Sequence, residues 1–405
     1  MTLGIVAEYN PFHLGHQYQL QTAKTLAHAD TTIIVMSGNF TQRGDVAIID
    51  KYFRTKMALA QGADLVLELP TTFALASSGY FCQGAVLTLA ACGIDTLSFG
   101  SESCNLSNMQ KISALLADEP QEYQQILKTY LKKGNSFPKA QSLALEEYLQ
   151  FSFTTEENPN DVLGIGYLTT IEKYHLPITP IAIPRRGSHS NHNNHTNDGY
   201  LNATSIRELV LNKKDITPYV PTDTHSILAH AFADGYTPLS LNDFSSAIFT
   251  LLYHQTPETL ATLPDMNEEL ANRLLKQLPL ANNISTLLQN TKSKNYTLTR
   301  LQRILCYLLL HFTQEDMIKE PLYLRVLGFN EHGQKYLHTL KKNTSLPIIT
   351  NPAQAKSILS PRAYRQFSID LRASAIYTAA QKHRKTDFIK EEFARYPIFS
   401  STMQS

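Results

Sequence analysis

The chain has 405 residues, of which 43% are hydrophobic, and a formal net charge of +1. This length supplies enough apolar surface for two or three domains, which excludes a small scaffold that depends on disulfides. The four cysteines contain no CxxC pair, a pattern that favours free thiols in a reducing cytoplasm over a zinc site. No apolar run approaches the roughly 20 residues of a membrane span, and no signal-peptide pattern is present. We therefore expect a cytoplasmic protein without a membrane partner.

Apolar, β-branched runs alternate with helical patterns in the first half of the chain. The predicted strands are 2–8, 31–37, 63–69, 94–99 and 178–183, and the predicted helices include 14–28, 51–61, 79–92 and 160–174. This alternation is typical of a parallel sheet that is covered by helices on both faces. We predict an α/β domain over residues 1–222, with a helical insertion at about 105–150.

The second half of the chain changes to successive helical patterns. Residues 223–320 are predicted to form a helical domain, and residues 321–405 a small α/β unit. Between residues 322 and 390 there are seven lysines and five arginines but only three acidic residues. Because the whole chain is nearly neutral, this segment stands out, and its charge predicts contact with a polyanion such as RNA.

The first predicted strand is followed at once by His13, Leu14, Gly15 and His16, and then by an amphipathic helix. The first N–H groups of a helix have no partners within it and point towards the place that an anion would occupy. Gly15 allows a close approach, and two imidazoles three residues apart can donate hydrogen bonds to phosphate oxygens. A polar turn with two surface histidines is the simpler interpretation of the motif alone. Its position favours a site, because ligands of α/β sheets bind where strands end.

Three further segments carry groups that suit an anion site. Residues 202–207 place hydroxyls ahead of a predicted helix, where they can be caps only, or form a second anion cradle with Arg207. Arg185 and Arg186 end a predicted strand, and Asn160 lies at a predicted helix start, where it can be merely a cap. No Ser-His-Asp or Cys-His pattern and no Walker lysine is evident, which favours direct displacement at phosphorus.

Residues 187–199 form a loop rich in histidine and asparagine. His189, His192 and His195 recur every three residues, a spacing that raises the question of a metal site. No carboxylate or thiol accompanies them, and nothing in the pattern fixes their geometry. We predict a mobile loop over the site and no metal bound by the protein itself.

Four blocks of sequence resemble the bacterial tRNA(Met) cytidine acetate ligase family. They are residues 8–17 (EYNPFHLGHQ), 36–44 (MSGNFTQRG), 56–70 and 98–102. In addition, residues 13–16 and 204–207 resemble the paired signatures of the HxGH nucleotidyltransferase superfamily. The resemblance extends over nearly the whole chain and implies a Rossmann-like catalytic domain. Asn202 departs from the family pattern, in which we would expect a serine.

The resemblance implies a reaction in two steps. Acetate is expected to attack the α-phosphate of ATP to give acetyl-adenylate and pyrophosphate, with Mg²⁺ bridging the phosphates. The acetyl group is then expected to pass to N4 of the wobble cytidine of elongator tRNA(Met), releasing AMP.

Specific residues are expected to carry this reaction. We expect His13, His16 and Arg207 to be catalytic, with the histidines at the α- and β-phosphates and Arg207 and Ser205 at pyrophosphate. The residues expected to bind ATP are Val6, Ala7, Glu8, Tyr9, Asn10, Pro11, Phe12, His13, Leu14, Gly15, His16, Gln17, Gly100, Asn160, Arg185, Arg186, Ser205 and Arg207. The residues of the basic segment expected to bind tRNA are Arg362, Arg365, Arg372, Lys382, Arg384 and Lys385.

Two other functions stay open on the sequence. A cofactor adenylyltransferase, which joins AMP to a phosphorylated small molecule, would share the N-terminal chemistry but gives no reason for a basic C-terminal unit. A nucleotide-sensing RNA-binding protein would need no turnover, although the presence of His13, His16 and Arg207 argues against it.

Overall fold

The computed structural model describes residues 1–151, 158–186, 199–381 and 388–401. The strands are β1 (Thr2–Ala7), β2 (Thr31–Ser37), β3 (Leu65–Leu69), β4 (Thr96–Ser101), β5 (Thr179–Pro184), β6 (Leu324–Asn330), β7 (Ile348–Ile349) and β8 (Ile398–Ser400). The helices of the first half are α1 (Leu14–Leu26), α2 (Lys51–Ala60), α3 (Thr71–Ala74), α4 (Ser78–Ala91), α5 (Leu106–Asp118), α6 (Gln121–Lys132), α7 (Phe137–Leu149), α8 (Pro159–Lys173) and α9 (Ala203–Leu211). Those of the second half are α10 (Thr222–Ala233), α11 (Ser245–Tyr253), α12 (Pro257–Leu260), α13 (Glu268–Gln277), α14 (Ile284–Thr291), α15 (Leu298–Leu309), α16 (Glu331–Asn343), α17 (Ala355–Ile358), α18 (Pro361–Ala379) and α19 (Phe388–Ala394).

A single sheet connects both ends of the described chain, in the order β5-β4-β1-β2-β3-β6-β7, with β8 paired to β6. The strands β1 to β5 are parallel to one another, which confirms the predicted α/β class and all five predicted strands of the first half. The chain passes from β1 to β2 on one side, whereas β4 and β5 lie on the other. The carboxyl ends of β1 and β4 therefore form the switch point, where ligands of such sheets bind.

The apolar side chains of alternate strand residues separate into two cores. One face of the sheet packs against α4, α5, α8 and α16, and the other packs against α1, α2, α9 and α10. The predicted insertion is helical, as expected, and consists of α5, α6 and α7. No helix in the described ranges combines the length and the apolar character that a membrane crossing requires.

The helices α11 to α15 share a further core, which is not closed on itself. Phe40, Val46 and Leu75 of the first half pack into it, and so does Tyr377 of α18. The hydroxyl of Tyr377 donates to the carbonyl of Ala47 at 2.8 Å. The helices α11 to α15, here called the helical part, are thus attached to the loop that follows β2, at the carboxyl edge of the sheet.

The basic segment extends the same sheet. The strand β6 is antiparallel to β3, in a register that places Arg325 opposite Glu68. Both β7 and β8 then pair with β6. The domain boundary at residue 321 stays a prediction, but the sheet itself is continuous across it.

Four buried charges fasten β6 and α19 to the rest of the sheet. The ammonium group of Lys51 lies 2.9 Å from the carboxylates of Glu68 and Glu392. The guanidinium of Arg325 lies 3.1 Å from Glu68 and also pairs with Glu392. Since two cations balance two carboxylates, each charge has partners that offset its loss of water.

Removal of one charged side chain from this buried cluster should destabilise the protein, because the remaining charges lose a partner. We expect Arg325→Met to lower the free energy of unfolding by about 3–5 kcal/mol, because it leaves two buried carboxylates with a single cation. Chemical denaturation would measure the change. The control Lys335→Met removes an exposed cation from α16 and should alter the free energy of unfolding by less than about 0.5 kcal/mol. Equal effects of the two substitutions would contradict the role given to the buried charges.

Candidate active site

Two histidines cap the start of α1 at the switch point. The Nδ1 atom of His13 accepts a hydrogen bond from the backbone N–H of Gly15 at 3.0 Å. The backbone N–H of His13 donates in turn to Nδ1 of His16 at 3.3 Å. This is a capping box in which imidazoles replace the usual hydroxyl and carboxylate. The rings are stacked, with 3.7 Å between their centroids.

The same hydrogen bonds determine where each ring carries its proton. Because both Nδ1 atoms accept, a neutral ring must carry its hydrogen on Nε2. Burial, together with the charges of Arg185 and Arg207, lowers the pKa of His13 to about 3. Burial and the neighbouring His13 and Arg185 also lower the pKa of His16. Both imidazoles are therefore neutral near pH 7, with an Nε2–H to donate.

The turn between β1 and α1 is built around these rings. Tyr9 and Phe12 pack against His16, with centroid distances of 5.0 and 5.6 Å. The side chain of Asn10 accepts a hydrogen bond from the backbone N–H of Ile48 at 2.8 Å. The turn is thus fixed both to the histidines and to the loop after β2.

Arg207 approaches the turn from α9. Its Nη1 donates to the carbonyl of Asn10, and its Nη2 to the hydroxyl of Thr204, each at 3.1 Å. Asn202 caps α9 by accepting a hydrogen bond from the backbone N–H of Ser205 at 3.0 Å. The departure at Asn202 therefore preserves the cap, because asparagine performs this role as well as serine.

Gly100, Asn160 and Arg185 meet on the other side of the turn. The carboxylate of Glu102 accepts hydrogen bonds from the backbone N–H groups of Asn160 at 3.0 Å and Asp161 at 2.9 Å. It also lies 3.9 Å from the guanidinium of Arg185. A Cβ atom at Gly100 would lie 3.4 Å from Cγ of Arg185, so Gly100 is in close contact with this side chain. Glu102 therefore occupies the N-terminus of α8, so the backbone N–H groups of Asn160 and Asp161 are not free to bind a phosphate.

Arg186 has a different environment from Arg185. Its guanidinium lies 4.2 Å from the ring centroid of Tyr18 and 5.7 Å from that of Tyr200. Gln17, another predicted ATP-binding residue, donates from its side chain to that of Gln61, the residue after α2, at 2.7 Å. The histidine-rich stretch with His189, His192 and His195 lies outside the described residues.

Sequence reasoning gave no role to Arg54, which is fully buried in α2. Its guanidinium donates to the carbonyls of Glu8 at 2.7 Å, Ser37 at 2.9 Å and Ile49 at 3.1 Å, and also to that of Gly38. It thereby joins the ends of β1 and β2 at the edge of the site. An arginine next to apolar residues of a predicted helix was the only signal of this role.

The predicted tRNA-binding residues have unlike surroundings. Arg365 pairs with Glu315 at 2.9 Å and with Asp316 at 2.8 Å, and Arg372 donates to carbonyls at the end of α15. Arg362 is exposed and has no hydrogen bond or ion pair with any residue that the structure describes. The remaining candidates, Lys382, Arg384 and Lys385, lie outside the described residues.

Comparison with known proteins agrees with this geometry. A family model described as HIGH Nucleotidyl Transferase matches residues 1–392. The fold and the paired histidines are thus those of a HIGH nucleotidyl transferase. The chain is 42% identical to the tRNA(Met) cytidine acetate ligase of Thermoanaerobacter sp. (strain X514), over 94% of this chain and 96% of that protein. It is 38% identical to the tRNA(Met) cytidine acetate ligase of Thermosipho africanus, over 96% of this chain and 98% of that protein.

A solved structure extends the similarity to three dimensions. The crystal structure of Thermotoga maritima TmcAL bound with alpha-thio ATP superimposes with a TM-score of 0.91 at 32% identity, covering 99% of this chain and 100% of that one. The apo form of the same protein gives a TM-score of 0.94 at 31% identity, with the same coverage. The chain belongs to the tRNA(Met) cytidine acetate ligase family, which confirms the resemblance seen in the sequence.

The low pKa of His13 and His16 makes the free energy of unfolding depend on pH. Above about pH 6.5 the rings are neutral in the folded and the unfolded chain. Below that pH the unfolded chain binds a proton on each ring that the folded protein does not, so the free energy of unfolding falls by about 1.4 kcal/mol per pH unit per ring. His13→Asn retains a capping side chain but removes one titrating ring.

We therefore expect the His13→Asn variant to lose stability less steeply than the parent protein between about pH 6 and pH 4. Urea denaturation at a series of pH values would give both slopes. Parallel slopes would show that His13 titrates alike in the folded and the unfolded state.

Proposed function

We propose that this protein joins acetate to N4 of the wobble cytidine of elongator tRNA(Met), with ATP converted to AMP and pyrophosphate. The observation that carries the proposal is the pair of neutral imidazoles at the start of α1, with Arg185 and Arg207 beside them. Family membership supports the same conclusion, because the relatives are tRNA(Met) cytidine acetate ligases and the related TmcAL structure holds alpha-thio ATP.

In the first step, an oxygen of acetate attacks the α-phosphorus of ATP, and the bond to the bridging oxygen of pyrophosphate breaks. Acetate is already ionised near pH 7, so no general base is needed. The protein has to hold the reactants in line and offset the charge of the phosphates. His13 and His16 donate from Nε2 to the α- and β-phosphates.

Arg207 and Ser205 hold the departing pyrophosphate. A guanidinium has five N–H donors. Since Arg207 uses one for Asn10 and one for Thr204, the others are free to bind phosphate. Within the described ranges, no three carboxylate, imidazole or thiol groups converge as a metal site. We therefore propose that Mg²⁺ arrives as the magnesium complex of ATP, held through phosphate oxygens.

In the second step, the exocyclic amine of cytosine attacks the acetyl carbonyl, AMP leaves and the amine loses a proton. The reacting base must be unstacked, which an anticodon loop permits. We propose that the basic segment that includes Arg362 binds phosphates of the tRNA. That segment is joined to the catalytic sheet through β6, so bound RNA would lie on the same rigid unit as the ATP site.

The histidines are tested by a reaction that needs no RNA. We expect His16→Ala to lower the rate of acetate-dependent ATP–pyrophosphate exchange by at least about 100-fold, because one donor to the developing charge is lost. His230→Ala, which removes an exposed imidazole from α10, is the matched control and should exchange at the parent rate. Unchanged exchange in a folded His16→Ala variant would refute the proposed role.

The basic segment is tested by the salt dependence of RNA binding. We expect Arg362→Gln to weaken tRNA binding and to lower the slope of log K against log salt by about one. Arg365→Gln should change this slope less, because Arg365 already pairs with two carboxylates. Filter binding at several salt concentrations would decide, and a larger change for Arg365→Gln would contradict this assignment.

A further inference from the structure

A short hairpin rises from the loop after β2. Phe40 pairs with Val46, and the backbone N–H of Thr41 donates to the carbonyl of Asp45 at 2.9 Å. The N–H of Gly44 donates back to the carbonyl of Thr41, also at 2.9 Å. Gln42 and Arg43 are therefore the two residues at the tip of this hairpin, which spans residues 40–46.

The helical part of the protein holds the hairpin in place. The side chains of Phe40 and Val46 are buried in the core of α11 to α15. Gly44 has a φ of +76°, and a Cβ there would clash with the backbone of Arg303. The thiol of Cys306 also donates to the carbonyl of Gly44, at 3.4 Å. The tip thus has a fixed position relative to the sheet.

That position is beside the proposed phosphate site. The backbone N–H of Gln42 donates to a carboxylate oxygen of Glu8 at 2.9 Å, and Glu8 belongs to the turn between β1 and α1. Arg43 is the next residue. It is exposed, and within the described part of the chain it makes no hydrogen bond or ion pair. Arg185 and Arg207, in contrast, both have partners in the protein.

The charge of Arg43 reaches both of these arginines. After burial, which is the main cause, the positive charge of Arg43 contributes to lowering the pKa of the Arg185 guanidinium and that of Arg207. Carboxylates offset part of this repulsion, Glu102 at Arg185 and Asp45 and Glu8 at Arg207, and an anion bound beside Arg43 would offset it further. The groups on the two sides of the turn thus share one electrostatic environment with the hairpin tip.

We propose that Arg43 is a third phosphate-binding arginine, which contacts the terminal phosphates of ATP from the side of the helical part. This inference rests on the proposed function and adds a residue to it. A phosphate of RNA is the competing ligand of the same chemistry. The nucleotide is favoured because Arg43 lies next to the β1–α1 turn, whereas the positive excess of the sequence lies in residues 322–390.

The test separates the nucleotide from the RNA by leaving the RNA out. We expect Arg43→Gln to raise the KM for ATP in acetate-dependent ATP–pyrophosphate exchange by about 10- to 100-fold, since a hydrogen bond to a charged group is lost. Arg43→Lys keeps the positive charge and should raise the KM for ATP less than Arg43→Gln does. The dissociation constant for tRNA should be the same in Arg43→Gln as in the parent protein. Lys128→Gln removes an exposed charge from α6 and serves as the control.

A parent-like KM for ATP in Arg43→Gln would overturn the inference, and weakened tRNA binding in that variant would assign Arg43 to the RNA. Calorimetry with alpha-thio ATP keeps the result independent of the proposed reaction. If the parent protein binds this nucleotide but shows no exchange, the proposed function fails, while the affinity of Arg43→Gln still decides the role of Arg43.

A second variant tests the support of the tip. Gly44→Ala leaves the Arg43 side chain intact but forces the hairpin away from Arg303. We expect it to raise the KM for ATP as Arg43→Gln does. A folded Gly44→Ala protein with the parent KM would show that the hairpin does not position Arg43. If thermal melting shows that Gly44→Ala does not fold, Arg43→Gln decides alone, because its side chain is exposed and lacks partners.

Discussion

The capping hydrogen bonds made by the rings of His13 and His16 are the constraint on which the site depends. They use both Nδ1 atoms for the backbone at the start of α1. Each ring is thereby oriented, and its proton is placed on Nε2. Burial lowers the pKa of both rings and keeps them uncharged near pH 7, so each can offer an Nε2–H as a hydrogen-bond donor. This suits a reaction in which the nucleophile is already an anion and the leaving group is pyrophosphate.

Residues far from His13 and His16 in the sequence fix the turn that carries them. Arg54 ties the ends of β1 and β2 together through backbone carbonyls, and Arg207 reaches the turn from α9. Glu102 satisfies the start of α8 and lies near Arg185. The guanidiniums of Arg54, Arg185 and Arg207 thus all interact with carbonyl or carboxylate oxygens of the protein. The rigid unit continues into the helical part and the basic segment, since both pack against or pair with the catalytic sheet.

Much of the candidate site could be predicted, because it depends on local sequence. A strand, a turn with two histidines and a helix are contiguous, and their geometry follows from the pattern of helix starts. The partners of single charged residues could not be predicted in this way. Arg365 and Arg372 resemble surface cations in the sequence, yet one pairs with carboxylates and the other with carbonyls. Such pairings depend on which helix ends lie nearby, and periodicity carries no information about that.

The sequence by itself determined the α/β class, the strands of the first half and the chemistry of the β1–α1 turn, because hydrophobic periodicity and helix capping act over a few residues. Only the tertiary structure decided that β6 joins the sheet antiparallel to β3, and that Lys51, Glu68, Arg325 and Glu392 form one buried cluster. It alone placed the tip of the hairpin beside the turn between β1 and α1. These features join residues tens to hundreds of positions apart, and they form only where the folded chain offers each buried charge a partner.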